Sequence, residues 1–231
     1  MRLLGEDELE RSAVVANCRM NRERKLLGSN GYDRELGFNP LAFLKDRTTD
    51  RGTASWLDLC CGTGRALIQA AEILQAERLI IDIVGVDLVG MFDPTPPNVS
   101  RLRLVEASLR TWRPDRDFDL ITCVHGLHYV GDKLGLIARA ASWLTDDGLF
   151  VASLDLHNLK VGGDSSARRL ASDLRRAGLR YDTRRRLVSC RGRRQVSLPY
   201  RYLGADDTAG PNYTGQPAVG SHYEVIGDAR Q

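Results

Sequence analysis

The stretch SWLDLCCGTGRAL, residues 55–67, joins an apolar run of strand length to a glycine-containing turn and the start of a helical pattern. Gly62 and Gly64 let the backbone bend sharply after the strand, and they place no Cβ in the way of a ligand. The helix that follows begins with backbone N–H groups that have no partner within the helix. This stretch therefore predicts a ligand site at the carboxyl end of a buried strand.

Length and composition set the class of protein. The chain has 231 residues and a formal net charge of +3, which is too small to indicate a polyanionic partner by itself. It starts MRLLGEDELERS, with acids where a signal peptide needs an apolar core, and it contains no apolar run long enough to cross a membrane. Its 5 cysteines include no C-x-x-C pair, which predicts reduced thiols in a cytoplasmic protein, without a disulfide framework or a metal site.

Apolar runs of strand length alternate with helical stretches through the middle of the chain. The predicted strands span residues 55–61, 79–88, 101–106, 118–125 and 149–154. The first predicted helix begins at Pro40 and ends before Gly52. Three more are predicted over residues 64–78, 132–145 and 164–177. Because the strands are apolar along their whole length and helices separate them, they indicate a parallel sheet buried on both faces, in a doubly wound α/β arrangement.

The two ends of the chain depart from this alternation. A charged helical arm is predicted before the sheet. Residues 181–190 and 193–203 flank Arg191-Gly192, a predicted tight turn, so we expect the sheet to finish with an antiparallel hairpin. Residues 204–231 are rich in Gly, Pro and Asp and predict a loop-like tail. The predicted units are an N-terminal helical arm or lid over 1–52, a ligand-binding domain over 53–204 and a C-terminal tail over 205–231.

An acid ends the second predicted strand. In a doubly wound sheet, ligands bind at the carboxyl ends of the strands, near the point where the strand order reverses. Asp87 lies there, and its carboxylate can accept hydrogen bonds from both hydroxyls of a ribose. Asp82 lies in the middle of the same strand, so we expect it to have a structural hydrogen-bond partner. The turn at Gly62 lacks the third glycine of the dinucleotide fingerprint and the G-K-[ST] of a phosphate-binding loop.

The turn resembles the first motif of the class I S-adenosylmethionine-dependent methyltransferases, acid-x-G-x-G-x-G. The matching residues are Asp58-Leu59-Cys60-Cys61-Gly62-Thr63-Gly64, with Cys60 in place of the first glycine. Further matches follow in order, namely Asp87, VEASL (105–109), FDLITCVHGLHYV (118–130), LTDDGLFVAS (144–153) and the final hairpin. The resemblance covers residues 53–204. It implies an α/β, Rossmann-like fold with a doubly wound, mostly parallel seven-stranded sheet and an antiparallel C-terminal hairpin strand.

The same resemblance implies S-adenosylmethionine as the cofactor. In this family Asp87 would bind the ribose and the VEASL segment would hold the adenine, with Ser108 or a backbone carbonyl taking the amino group. An arm before the sheet would fold over the cofactor, so that Arg19, Arg22 and Tyr32 contact its carboxylate or the acceptor; a solvated helix is the alternative. The expected cofactor-binding residues are Asp58, Cys60, Gly62, Gly64, Asp87, Leu88, Ala107, Ser108, Leu109, Val124, Tyr32 and Arg22.

Few catalytic groups are expected. A sulfonium methyl group is already activated, so in-line orientation supplies much of the acceleration, and a base is needed only for a poor nucleophile such as a hydroxyl. His125 and His128 follow the fourth predicted strand, and a neutral imidazole suits proton removal. His125 is the better candidate because it lies nearer the strand end. The alternative is that both histidines pack against the cofactor or the backbone.

Several acceptors and functions stay open. We expect a small-molecule acceptor, because the fourth-strand motif TCVHG differs from the N/D-P-P-[YF] of enzymes that methylate amino nitrogens of nucleic acid bases. Residues 168–201 carry twelve arginines, which keeps an RNA methyltransferase as an alternative. Arg191 and Arg193, expected on the ligand side of the sheet, are candidates for contact with an anionic acceptor. A non-catalytic subunit that binds the cofactor is the other alternative, and the oligomeric state is undetermined.

Overall fold

The computed structural model describes residues 2–16, 23–162 and 167–226. Its strands are β1 (Ala54–Leu59), β2 (Ile81–Asp87), β3 (Leu102–Glu106), β4 (Phe118–Cys123), β5 (Leu144–Ser153), β6 (Leu159–Val161), β7 (Arg180–Asp182), β8 (Leu187–Arg191), β9 (Tyr200–Asp206) and β10 (Gly220–Val225). Its α-helices are α1 (Glu6–Glu10), α2 (Ala13–Ala16), α3 (Tyr32–Leu36), α4 (Pro40–Arg51), α5 (Arg65–Ala76), α6 (Lys133–Ser142) and α7 (Ala167–Arg176).

The main sheet has seven strands in the order β3-β2-β1-β4-β5-β8-β7. The pairs from β3 to β5 are parallel, and β8 is antiparallel to both β5 and β7. The order reverses between β1 and β4, which makes the carboxyl ends of these strands the expected ligand edge. The predicted doubly wound, mostly parallel sheet with an antiparallel hairpin strand is confirmed.

Both faces of the sheet are covered, as the apolar strands predicted. One core cluster joins Leu57 and Ile121 to α6 and α7, and a second joins Trp56 and Ile83 to α4 and α5. Every residue of β1 and of β4 is buried. Successive side chains of these central strands therefore enter different cores, which explains why each reads as a continuous apolar run.

The helix boundaries follow from capping. At α4, the Asn39 side chain accepts hydrogen bonds from the N–H groups of Leu41 and Ala42, Pro40 occupies the first helical position, and Gly52 ends the helix in the left-handed conformation. The predicted helix that Pro40 opens is therefore confirmed. α5 begins directly after Gly64, whose φ of 74° bends the chain from β1 into the helix.

The predicted turn at Arg191-Gly192 is wrong. The hairpin is formed by β7 and β8, and its turn lies at residues 183–186. There the Asp182 side chain accepts hydrogen bonds from the N–H groups of Arg184 (2.9 Å) and Arg185 (3.0 Å), so an aspartate closes a turn that has no glycine. Because β8 is antiparallel to β5, Arg191 pairs with Leu149, where the buried apolar run of β5 starts, and so lies away from the ligand edge.

Two expectations about the C-terminal third of the chain are corrected by a second sheet. Three strands pair in the order β6-β10-β9, with β10 parallel to β6 and antiparallel to β9. β9 therefore does not join the main sheet, and the expectation of a loop-like segment over 204–231 is wrong for the end of β9 and for β10. The N-terminal segment reaches this sheet as well, because Leu4 N–H donates to the Ala205 carbonyl (2.8 Å).

A buried lysine joins the two sheets. Lys133, at the start of α6, is only 1% exposed. Its Nζ donates hydrogen bonds of 2.8 Å to the carbonyls of Val130 and Val219 and to Ser221 Oγ. Val130 lies in the loop between β4 and α6, whereas Val219 and Ser221 lie just before and at the start of β10. The Lys133 side chain therefore holds β10 against the loop that follows β4.

No helix within the described part of the chain combines the length and apolar composition needed to cross a bilayer.

Replacing Lys133 with Ala should lower the free energy of unfolding by about 3 kcal/mol or more, because two buried acceptors and one partly buried acceptor lose their donor. Urea denaturation of the wild type and the variant measures the difference. The matched control is Lys45→Ala, which removes a half-exposed ion pair with Glu77 and should cost about 0–1 kcal/mol. Equal losses for the two variants would contradict the structural role assigned to Lys133.

Candidate active site

Three residues in the left-handed conformation shape the turn after β1. Cys60, Gly62 and Gly64 have φ values of 57°, 62° and 74°. A Cβ at Gly64 would lie 2.8 Å from Leu104 Cδ1, so glycine is required there for space as well as for conformation. Cys60 adopts this conformation with a side chain, which is uncommon and is typical of functional sites.

The carboxylate of Asp87 holds this turn against β2. Gly62 N–H donates to Asp87 Oδ2 (3.0 Å), and Val89 N–H donates to Asp87 Oδ1 (3.1 Å). Asp87 is buried, yet it lines a cavity at the carboxyl ends of the strands. One acid therefore connects the ends of β1 and β2 and also faces the ligand edge.

The cavity measures about 250 Å³ and is enclosed by three parts of the chain. The loops after β1 to β4 form one side, α1 and Val15 cover it, and Tyr202 of β9 reaches it from the second sheet. Its lining residues are Glu6, Leu9, Glu10, Val15, Cys60, Gly62, Asp87, Leu88, Ala107, Leu109, Arg110, Val124, His125, Gly126, Tyr129, Val130, Gly131, Asp132, Arg139 and Tyr202.

Eight of the residues predicted from the sequence line this cavity. They are Cys60, Gly62, Asp87, Leu88, Ala107, Leu109, Val124 and His125. Gly64, Asp58, Tyr32, Ser108 and His128 lie outside its lining. Arg19 and Arg22 fall outside the described residues. The role of each of these residues in cofactor binding stays a prediction.

Asp58, the first acid of the motif, is enclosed by the protein. Tyr32 Oη donates to Asp58 Oδ2 (2.7 Å) and Thr122 Oγ1 donates to Asp58 Oδ1 (2.5 Å), while Trp56 Nε1 donates to Thr122 Oγ1 (2.8 Å). Burial raises the pKa of Asp58 to about 7, although both hydrogen bonds lower it. Asp58 therefore joins α3 of the N-terminal arm to the centre of the sheet through Tyr32.

Cys60 presents a neutral thiol to the cavity. The hydrogen bond with Cys123, together with burial, raises the pKa of Cys60 well above its ordinary range. The side chain that replaces the first glycine of the motif is thus small and uncharged.

The buried His125 forms a pair with a partly buried carboxylate. Its Nε2 lies 2.8 Å from Glu35 Oε2, while Glu35 Oε1 accepts from Arg24 Nη1 (2.8 Å). Burial would raise the pKa of Glu35, but the His125 hydrogen bond and the charge of Arg24 lower it below its ordinary value. His125 is 1% exposed, has a φ of 58°, and its Nδ1 has no hydrogen-bond partner among the described residues.

His128 differs from His125 in its electrostatics. Burial, followed by the neighbouring His125 and Lys133, lowers the pKa of His128 to about 3. Such an imidazole stays neutral at physiological pH and is a poor proton acceptor. Of the two histidines predicted as bases, the geometry and electrostatics favour His125.

A family model described as a methyltransferase domain matches residues 30–191. The chain belongs to this methyltransferase family. The match confirms the resemblance to class I S-adenosylmethionine-dependent methyltransferases, whose methyl donor is S-adenosylmethionine. The matched region contains the turn after β1, Asp87, and both members of the His125–Glu35 pair.

Solved structures, among them two methyltransferases, are similar to the chain over about half of their own length. CalS10, an amino pentose methyltransferase from Micromonospora echinaspora involved in calicheamicin biosynthesis and solved with SAM bound, is 24% identical over 49% of this chain and 48% of its own, with a TM-score of 0.37. The plantazolicin methyltransferase BpumL, solved with SAH, is 14% identical over 63% and 51%, with a TM-score of 0.40. YjhP from E. coli is 19% identical over 50% and 49%, with a TM-score of 0.36. No curated protein matches the chain.

The structure brings residues beside His125 and His128 that sequence reasoning missed. The segment between β9 and β10 places the Tyr213 ring 5.8 Å from that of His125 and 5.3 Å from that of His128. Arg186 lies over the Tyr213 ring, 4.6 Å from its centre, and also pairs with Asp155 at 3.4 Å. Residues 204–219 carry no periodic pattern, so no sequence signal indicated these contacts.

The expectation that Arg191 and Arg193 lie on the ligand side is wrong. Arg193 pairs with Asp117 and donates through Nε to the Leu144 carbonyl (3.1 Å), at the amino end of β5. Of the arginines on this hairpin, Arg186 is the one that lies over the Tyr213 ring, which contacts His125 and His128. The reversal follows from the wrong turn position, since it changes which end of β8 faces the ligand.

The imidazole of His128 should remain neutral well below pH 6.5, because its pKa lies at about 3. Its ring carbon and proton signals, assigned in NMR spectra by comparison with His128→Asn, should not shift between pH 8 and pH 5. A titration of these signals centred near pH 6.5 would contradict the enclosed environment described for His128.

Proposed function

We propose that this methyltransferase transfers the methyl group of S-adenosylmethionine to the oxygen of a hydroxyl group on a small molecule, with His125 as the general base. When bound, S-adenosylmethionine supplies a methyl group on a positively charged sulfur, already activated for displacement. The observation that carries the proposal is the His125–Glu35 pair, in which His125 Nδ1 is buried and has no partner among the described residues. A base of this kind is needed for a hydroxyl, which is a poor nucleophile while it keeps its proton.

The cavity suits the cofactor in chemistry as well as in position. Asp87 offers a carboxylate to ribose hydroxyls at the ends of β1 and β2, beside the small residues Cys60 and Gly62. Ala107 and Leu109 give an apolar wall after β3 for a flat base. These contacts support a nucleoside bound along the carboxyl edge, with its sulfur end near the turn after β1.

Glu35 fixes the tautomer of the proposed base. An ionised carboxylate accepts only, so His125 Nε2 carries the hydrogen and donates it to Glu35, which leaves the lone pair on Nδ1. As the hydroxyl oxygen bonds the methyl carbon, the carbon–sulfur bond would break with its electron pair left on sulfur, S-adenosylhomocysteine would leave, and the hydroxyl proton would pass to Nδ1. The imidazolium that results is stabilised by Glu35, whose lowered pKa keeps it ionised at neutral pH.

The arginines of residues 168–201 support a small acceptor over a nucleic acid. Several of them pair with acids of the same molecule, which reduces the free positive charge offered to a polyanion. The pairs are Arg169 and Arg176 with Asp173, Arg186 with Asp155, Arg193 with Asp117, and Arg201 with Glu224.

Incubation of the protein with methyl-labelled S-adenosylmethionine and a cell extract should place label in molecules that pass a small-molecule ultrafilter. His125→Asn should lower the initial rate by about 100-fold or more at saturating cofactor, because the amide has no basic nitrogen. Cofactor affinity should stay at the wild-type level. The control is His222→Asn, which replaces a histidine of β10 outside the cavity lining and should leave the rate unchanged.

Three outcomes would contradict the proposal. Label confined to acid-precipitable RNA or protein would move the acceptor to a macromolecule. Tight cofactor binding without label in any fraction would favour a non-catalytic subunit. An unchanged rate for His125→Asn would remove the proposed base.

A further inference from the structure

Helix α3 has two side chains that reach the ends of the central strands from one side of the helix. Tyr32 and Glu35 are three positions apart, so they lie on the same face. Tyr32 Oη donates to Asp58 Oδ2 (2.7 Å), and Glu35 Oε2 lies 2.8 Å from His125 Nε2. The same short helix therefore contacts the acid that precedes the glycine turn and the proposed base.

The partners of these two side chains are fixed to each other. Asp58 of β1 pairs in register with Thr122 of β4, and Thr122 Oγ1 donates to Asp58 Oδ1 (2.5 Å). Trp56 Nε1 donates to Thr122 Oγ1 (2.8 Å), so the threonine hydroxyl is itself held in place. His125 follows Thr122 by three residues. The acid that accepts the hydroxyl of Tyr32 is thereby attached to the segment that carries His125.

Helix α3 is too short to hold its own position. It has 5 residues and begins without a side-chain cap, and isolated helices shorter than about 12–15 residues are marginal in water. Its buried side chains are those of Tyr32 and Leu36, and of these two only Tyr32 forms a side-chain hydrogen bond. A hydrogen bond is directional, whereas apolar packing is not. The Tyr32 hydroxyl is therefore suited to set where Glu35 lies along the sheet.

We propose that the hydrogen bond between Tyr32 and Asp58 positions the general base. It sets the place of α3, and Glu35 on this helix then keeps His125 in the tautomer that leaves the lone pair on Nδ1. Tyr32 and Asp58 are positioning residues in this account, because they act through Glu35 and touch no reacting atom. The inference rests on the proposed function, since the tautomer of His125 matters for catalysis only where a base is used.

The other polar contact of Glu35 is less suited to this role. Arg24 Nη1 donates to Glu35 Oε1 (2.8 Å) and lies 3.4 Å from the Asn30 carbonyl. All three residues belong to the N-terminal arm, so these contacts balance the charge of Glu35 without setting its distance to the sheet. The Tyr32 ring also packs edge-on against Trp56, with the ring centres 6.1 Å apart. This packing survives loss of the hydroxyl, so Tyr32→Phe removes the hydrogen bond alone.

The first measurement follows the tautomer of His125 and needs no methyl acceptor. In protein labelled with ¹⁵N-histidine, the imidazole nitrogen shifts at pH 8 distinguish a nitrogen that carries a hydrogen from one with a lone pair, and His125→Asn assigns the signals. The wild type should carry the hydrogen on Nε2, and Tyr32→Phe should give a mixture of both tautomers, because Glu35 is no longer held against Nε2. Tyr200→Phe is the matched control, since it removes a tyrosine hydroxyl that is bonded to the buried Asp173 outside the cavity lining. Its spectrum should match that of the wild type.

The second measurement is the initial rate of label transfer from methyl-labelled S-adenosylmethionine to the ultrafiltered small-molecule fraction of the extract. Tyr32→Phe should lower this rate by about 3- to 10-fold, and Glu35→Gln by about 10- to 100-fold. The double variant should match Glu35→Gln to within about twofold, because the hydroxyl acts through Glu35. Calorimetry should give Tyr32→Phe the wild-type affinity for S-adenosylhomocysteine.

The proposal is overturned if Tyr32→Phe keeps the single wild-type tautomer, if its effect on the rate multiplies with that of Glu35→Gln, or if it weakens S-adenosylhomocysteine binding. The last result would make Tyr32 a cofactor contact. An unchanged rate for His125→Asn would overturn the proposed function instead, and the nitrogen shifts would still decide whether Tyr32 sets the tautomer. If Tyr32→Phe does not fold, Asp58→Asn takes its place with the same expected results, because an amide offers one acceptor oxygen to two hydroxyl donors.

Discussion

The hydrogen bond from Gly62 N–H to the carboxylate of Asp87 fixes the ligand edge of this protein. The sheet order brings the ends of β1 and β2 side by side, but neighbouring strand ends alone do not make a binding surface. The bond stabilises the turn after β1, in which Cys60, Gly62 and Gly64 adopt the left-handed backbone conformation, and Asp87 still lines the cavity. Because Gly64 packs against Leu104 with no room for a Cβ, the turn, β3 and the start of α5 form one unit.

The rest of the cavity is built by segments from outside the sheet. α1 covers it from the N-terminal side, Tyr202 reaches it from β9, and Tyr213 lies against the two histidines after β4. Lys133 holds β10 in place beside the same loop. Segments from the N-terminal and C-terminal parts of the chain therefore complete the cavity at the carboxyl edge of the parallel strands. The pairing of Leu4 with Ala205 joins these two parts to each other.

The sequence was sufficient for features that depend on neighbouring residues. The apolar strands, the helix signals at Pro40 and Gly52, the glycines after β1 and the acid that ends β2 all act over a few residues, so their patterns predicted the parallel sheet, this helix and the ligand edge. The turn at Asp182 was missed because an aspartate side chain closes it where Gly192 gave the stronger turn signal. That single error reversed the direction assigned to Arg191 and Arg193.

Contacts between distant segments could not be predicted in this way. The pairing of Tyr32 with Asp58, of Glu35 with His125 and of Glu10 with Ser108 joins residues 26, 90 and 98 positions apart. Nothing in a local pattern specifies such partners, since a charged residue on a short helix reads as solvent-facing. Asp58 illustrates the consequence, because its motif position suggested a cofactor contact while its two oxygens are bonded to Tyr32 and Thr122.

The central claim is that Asp87 binds the ribose of an adenosyl cofactor. Calorimetric titration of S-adenosylhomocysteine into the wild type, Asp87→Asn and Asp82→Asn tests it most directly. Asp82 is a suitable control because it lies on the same strand as Asp87. Its own partners are Arg101 and Arg116, with which it forms surface ion pairs. The account predicts wild-type affinity for Asp82→Asn and about 10- to 100-fold weaker binding for folded Asp87→Asn. Equal affinity of the wild type and Asp87→Asn would contradict it.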